Sequence, residues 1–138
     1  MLIFFQILIG AFVSGLDAGR VYQTWPLMGH SYFPDDTIIK DLKSFLNFHN
    51  SSLVQFYHRN LAYLIAIYIF CLSVYIYKNK LKKLFKSLKL LLIFLLIQII
   101  LGILTLISGL NIYLASAHQI SSMFLVFTSI NLYYFKSK

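Results

Sequence analysis

The sequence predicts an all-α integral membrane protein, a bundle of four transmembrane helices built as a tandem two-helix repeat. Three observations carry that expectation. Hydrophobic residues make up 59% of the 138 and charged residues 12%, roughly half the charged share of a soluble domain. The mean hydropathy is +0.77, and so short a soluble chain could not hide that much apolar surface, because small domains bury the smallest fraction of theirs. Four apolar runs cover about 2–16, 56–77, 88–107 and 113–135, and the last three approach or exceed the roughly 20 residues that cross a bilayer. The length allows a single domain, 1–138.

The first run is short for a span. It is either tilted through a thin region or the chain begins partway along a longer helix. No small-residue cleavage site follows it, so it reads as a retained helix. Residues 17–53 differ in kind. They hold both prolines, all four acids (Asp17, Asp35, Asp36, Asp41), the only Trp and two histidines, and so form an outer loop. Within it, Asp35-Asp36-Thr37 followed by Ile38, Ile39, Leu42, Phe45 and Leu46 predicts an N-capped amphipathic helix at the interface.

Between the second and third runs lie Lys78, Lys80, Lys82, Lys83, Lys86 and Lys89, half of the twelve basic residues. The net charge of +8 therefore does not point to nucleic acid, since no basic surface interleaved with aromatics accompanies it. Basic residues flanking apolar runs are topology signals. With that segment cytoplasmic, Lys136 and Lys138 fall on the same side two crossings later, and both termini are inside. Tyr133, Tyr134 and Phe135 then form an interfacial aromatic belt. Cys71 lies inside an apolar run, can form no intrachain disulfide, and reads as inert.

The first and third runs share a pattern. One reads Gln6-Ile-Leu-Ile-Gly10 and ends in Ser14-Gly15-Leu16; the other reads Gln98-Ile-Ile-Leu-Gly102 and ends in Ser108-Gly109-Leu110. Each is followed by a returning run that opens with a histidine, His58-Arg59 in the second and His118-Gln119 in the fourth. Parallel repeats of this kind build a central site. The topology sets both histidines within roughly 10 Å of the outer interface, given a rise of 1.5 Å per residue. Ionisable residues in spans are rare and mark function, and two facing imidazoles can supply both axial ligands of a haem iron.

Small residues accompany them. Ala62 and Ala66 recur with His58 at i, i+4 and i+8, and Ser121 and Ser122 follow His118. Gln6, Gly10 and Ser14 share one face of the first run, and Gln98, Gly102 and Thr105 one face of the third. Such stripes are usually packing faces that let helices approach closely, and they would equally leave room for a flat macrocycle. Arg59 either pairs with a haem propionate or snorkels to lipid phosphate; Arg20 is a weaker candidate for the same role. His30 and His49, in the loop, read as solvated or structural.

These residues resemble the haem A synthase (heme A synthase) family, over the whole chain and in its carboxy-terminal half. The resemblance rests on Gly10-Ala-Phe-Val-Ser-Gly-Leu-Asp-Ala-Gly19 with Tyr22-Gln-Thr-Trp-Pro-Leu-Met28, on Val54-Gln-Phe-Tyr-His58-Arg59 with Ala62-Tyr63, and on Gln98, Leu101, Gly102, Ile103 and Thr105 with Ala117-His118-Gln119. It implies eight-helix proteins of two similar halves that oxidise the C8 methyl of haem O to a formyl group, giving haem A for cytochrome oxidase. It implies haem b, with its iron, held by His58 and His118, while the amino-terminal half presents the substrate haem with its own histidines and a glutamate three residues before one of them.

At the corresponding position this chain has Gln55, and it has no Glu at all. Without a carboxyl group in its spans, a general base for autonomous oxidation is missing. The expectation is thus an oxidoreductase component, a fragment or split-gene half on the haem b side. Its expected partners are the bilayer, haem, a separate amino-terminal half or homologous subunit, and haem O synthase. The expected location is a bacterial plasma membrane ahead of a mitochondrial inner membrane. The alternative is a stand-alone bis-histidine b-type cytochrome that carries electrons in the membrane.

Overall fold

The computed structural model describes residues 2–137, and its regular elements are helices. In order, the helices are α1 (Leu2–Gly15), α2 (Leu42–Phe45), α3 (Ser51–Lys78), α4 (Phe85–Ile107) and α5 (Ile112–Ser137). Single 3₁₀ turns at Ala18–Arg20 and Lys82–Leu84 join them at the two ends of the molecule.

Two of the helical segments, Ser51–Lys78 and Lys82–Ile107, are long and apolar enough to cross a membrane by length and composition. The other two long apolar stretches fall short of that for different reasons. α1 has 14 residues, a length of about 21 Å at 1.5 Å per residue, against a hydrocarbon core of about 30 Å. α5 is long enough, with 26 residues, but His118, Gln119, Ser121 and Ser122 dilute its apolar character.

The helices pack as two hairpins, α1 against α3 and α4 against α5, with α3 also touching α4 and α1 touching α5. The largest buried cluster lies toward the lysine-rich end: Ile65, Ile69 and Ile76 of α3, Leu84 before α4, Leu88 and Leu91 of α4, and Leu125 and Leu132 of α5. Ser87 reinforces it by donating to Asn131 Oδ1 at 2.7 Å across the α4–α5 seam. Outward faces stay apolar: Ile67 is 64% exposed, Phe70 67%, Met123 71% and Phe127 67%. Patches of that extent suit lipid or another protein, not water.

The predicted loop helix forms in reduced form and with another cap. Only Leu42–Phe45 is helical, and Asp41, not Asp35 or Asp36, closes a capping box with Ser44. The Asp41 carboxylate accepts from Ser44 N at 2.7 Å and Ser44 Oγ receives the Asp41 N–H at 3.0 Å. Those bonds hold the Asp41 carboxyl below its usual value. Ile38 and Leu42 remain exposed, so no continuous apolar stripe develops. Asp35 and Asp36 are unavailable as caps because each is engaged elsewhere, Asp35 by Ser31 and Asp36 by Tyr22 and Ser52. α3 begins earlier than the apolar run at 56, because Asn50 caps it by accepting from Leu53 N.

Candidate functional site

The two histidines sit at similar points on their helices. His58 is about 10 Å along α3 from Ser51 and His118 about 9 Å along α5 from Ile112, at 1.5 Å per residue.

Each is seated by the same two residues of the facing helix. Gln6 Nε2 on α1 donates to the His58 carbonyl at 3.0 Å and lies 3.2 Å from ring Nδ1 and 3.3 Å from Nε2. Gln98 Nε2 on α4 donates to the His118 carbonyl at 3.1 Å and lies 3.3 Å from ring Nε2. One turn further along, a glycine abuts the same ring. A Cβ on Gly10 would come within 3.1 Å of His58 Cε1, and one on Gly102 within 3.0 Å of His118 Cε1. Glutamine and glycine four apart lie on one helix face, which is why the pair meets a single imidazole.

The seats differ in their supports. Gln98 Oε1 accepts from Ser121 Oγ at 2.5 Å, which fixes the carboxamide's orientation. Gln6 Oε1 is buried without a partner, and so is His118 Nδ1. Buried polar atoms are nearly always hydrogen-bonded, so such exceptions call for a physical reason. Among the described residues no cluster of three or more His, Cys, Asp or Glu could hold a metal ion.

A second set of polar residues lies on α3 beside His58. Ser52 donates to Asp36 Oδ2 at 2.6 Å, and Tyr22 donates to Asp36 Oδ1 at 2.9 Å. Gln55 Nε2 donates to the Tyr22 carbonyl at 2.8 Å, leaving its Oε1 buried and unpartnered. Arg59 donates to the carbonyls of Tyr22 at 3.0 Å and Leu27 at 3.2 Å. Tyr32 donates to Asn60 Oδ1. Ser52, Gln55, Arg59 and Asn60 recur on one face of α3, so the outer loop is latched along the first turns of the histidine helix. Burial pushes the Asp36 carboxyl upward, but the bonds from Ser52, Tyr22 and Thr37 outweigh it and hold it below its usual value. Burial and the bond to Asp36 raise the Tyr22 hydroxyl above its ordinary value.

Arg59 therefore spends two of its five donors on loop carbonyls, an arrangement that neither sequence reading of it included. Arg20 forms an exposed pair with Asp17 at 3.7 Å, a contact of little energetic consequence. His30 and His49 are exposed in the loop, and Cys71 is an exposed free thiol. Gln6 and Gln98 stood out in the sequence as a repeated pair; their contact with the histidines did not. Identical spacing to the helix ends would have suggested it, since each glutamine precedes the end of its helix by the same stretch, about 14 Å.

Residues 1–130 match the COX15-CtaA family of cytochrome oxidase assembly proteins. The chain is 43% identical to a heme A synthase of Pelagibacter ubique over 136 residues, covering 99% of this chain and 40% of that protein. It is 42% identical to a heme A synthase of Wolbachia pipientis over 131 residues, 94% of this chain and 35% of the relative. A heme A synthase of Rickettsia bellii is 41% identical over 126 residues, 91% and 37% respectively. The chain thus spans about two fifths of the length of these relatives. No solved structure matches it.

Proposed function

Because the chain belongs to the COX15-CtaA family of cytochrome oxidase assembly proteins, we propose that it is the haem b-holding part of a haem A synthase, with His58 and His118 as the two axial ligands of the iron. The observation that carries this is the duplicated seat, in which two imidazoles at similar depth are each held by a Gln and a Gly of the facing helix. The donor set suits the group: two nitrogen ligands, one ring bearing a buried nitrogen with no partner. Haem iron takes two histidines readily, and bundle cores are where such sites form. Bound haem would supply reversible one-electron iron chemistry.

This chain's residues hold and insulate it. Gly10 and Gly102 let the helices close on the rings, the apolar helices exclude water, and the donors of Arg59 not used on the loop carbonyls are available to a propionate. In this reading α1 and α5 cross the bilayer together with α3 and α4 as one four-helix domain, the lysine segment and both termini lie in the cytoplasm, and the membrane is a bacterial plasma membrane. The oxidation of the haem O methyl to a formyl group also needs the portion of the relatives that this sequence does not span, with haem O synthase upstream supplying substrate.

A second reading, a bis-histidine b-type cytochrome acting alone, is favoured by one observation. The chain has no Glu, and its four Asp residues all lie between 17 and 41, outside the long helices, so no carboxyl group stands ready for proton transfer beside the histidines.

The visible spectrum of chain purified after expression with ample haem tests the ligation. The expected result is a Soret band of a low-spin bis-imidazole haem, lost in His58→Ala and in His118→Ala. An absent band, or one unchanged in both variants, would sink the reading. Co-expression with the remaining portion of a relative, assayed for haem A, divides the two functions: haem A formation supports the synthase, and haem binding without haem A supports the cytochrome.

A further inference from the structure

We propose that Gln6 and Gln98 are positioning residues, each holding the imidazole across from it through a ring nitrogen, with the Gln98 amide N–H keeping the nitrogen it faces on His118 unprotonated. The inference rests on the ligation reading above and concerns how the ligands are tuned.

Three features of the geometry point to it. First, each carboxamide does more than cross-link two helices. It bonds the histidine's own carbonyl and also stands within 3.3 Å of a ring nitrogen, so the backbone and the ring of the same residue are held by one group. Second, the arrangement occurs twice, on different helices with different surroundings, and in both a glycine one turn away abuts ring Cε1. Third, a neutral imidazole has one donor nitrogen and one acceptor nitrogen, and which is which depends on what the neighbours offer. A carboxamide is suited to this role because it offers a donor and an acceptor at one site.

The two seats are set differently. Ser121 holds Gln98 Oε1, so Nε2 must face His118, and this seat imposes one tautomer. Gln6 Oε1 has no partner, so a half-turn of this carboxamide would bring an acceptor to His58 Nδ1 in place of a donor. Gln98 therefore acts as a fixed support and Gln6 as an adjustable one.

The test uses the full chain in detergent, loaded with haem, and reads haem retention, the low-spin spectrum and the reduction potential. Gln98→Met and Gln6→Met keep side-chain length and remove the amide. Both are expected to weaken haem retention by about 10-fold or more, the usual range for loss of a group supporting a metal ligand, and to shift the potential of the haem that remains. Gln98→Glu puts an acceptor where the amide donor faced the ring, which favours a proton on that ring nitrogen, and is expected to weaken haem retention and shift the potential. Gln98→Met should be the more damaging of the two, because Ser121 and His118 both lose their partner.

Met variants that hold haem with unchanged spectrum and potential would overturn the proposal and leave ligation by the histidines standing. Reduced thermal stability with unchanged spectrum and potential would also overturn it, by showing a purely structural cross-link. If the Met variants do not fold, the potential of Gln98→Glu decides, and no shift there counts against the proposal. No haem in the unsubstituted chain removes the ligation reading and this inference together.

Discussion

The two hairpins seat their histidines alike but reach that end by different means. In α4–α5 the connection is a tight turn, with Gly109 at φ 71° and Leu110 at φ 64°. Leu110 N bonds back to the Thr105 carbonyl at 2.9 Å. Short turns leave little freedom in how helices align, and the pair is further locked by Ser87 with Asn131 and Ser121 with Gln98. In α1–α3 the connection runs through the whole outer loop, and no residue of α1 is buried. Its alignment is set from outside the pair, by Tyr22, Asp36 and the latch residues of α3, with Ser51 Oγ reaching the Leu16 carbonyl at 3.3 Å. The lesson is that one local motif, Gln with Gly on one helix and His on the next, can be held in register either by a turn or by a folded loop.

The largest effect expected from that difference is at the glycines. Val at Gly102 would place Cβ 3.0 Å from Cε1 and 3.4 Å from Nδ1 of His118, and its methyls would force the ring from its seat. Overpacking of this kind costs about 1–3 kcal/mol, and most bound haem should be lost. Val at Gly10, with contacts of 3.1 and 3.6 Å to His58, should cost less, because the α1–α3 pair is not pinned by a short turn and can yield. Haem-to-protein ratios and melting temperatures of the two variants check this. Equal losses at the two positions would break the comparison.

A smaller, local effect is expected from Ser52→Ala. It removes the 2.6 Å bond to Asp36 from a buried position, a loss of about 1–2 kcal/mol from the latch. Limited proteolysis should then cut the outer loop faster, while amide exchange in α4 and α5 stays as it was. Loosening of both hairpins would show that the loop supports the whole bundle.

The mildest effect is acidification. The Asp36 carboxyl is held below its ordinary value of 3.8, so the folded state favours the ionised form. Its contribution is fully present above about pH 4 and is lost as pH falls through the lowered folded value. Exchange of loop amides should rise below pH 4 in the unsubstituted chain, and Asp36→Asn should abolish that rise. Asp36 is solvent-exposed, so screening keeps the effect small.

Much of this was legible in the sequence, and the rest was hidden for definite reasons. The apolar helices follow from hydropathy alone, and the Gln–Gly spacing marks one helix face without any partner being known. The loop resisted. Asp35-Asp36-Thr37 has the composition of a helix cap, yet short acidic side chains bond whichever donor comes nearest, and for Asp36 that donor is Tyr22, distant in sequence but adjacent in space. Arg59 also bonds two loop carbonyls, neighbours that leave no mark in composition.

The sequence by itself determined the apolar helices, the side on which the lysines gather, the duplicated pattern and the family, since each depends on residue type and spacing along one chain. The tertiary structure decided which amide meets which imidazole, which aspartate caps and which one latches, and how differently the two hairpins are closed. Those depend on directional bonds of about 3 Å between groups far apart in the chain, and spacing along a single helix contains no information about what faces it.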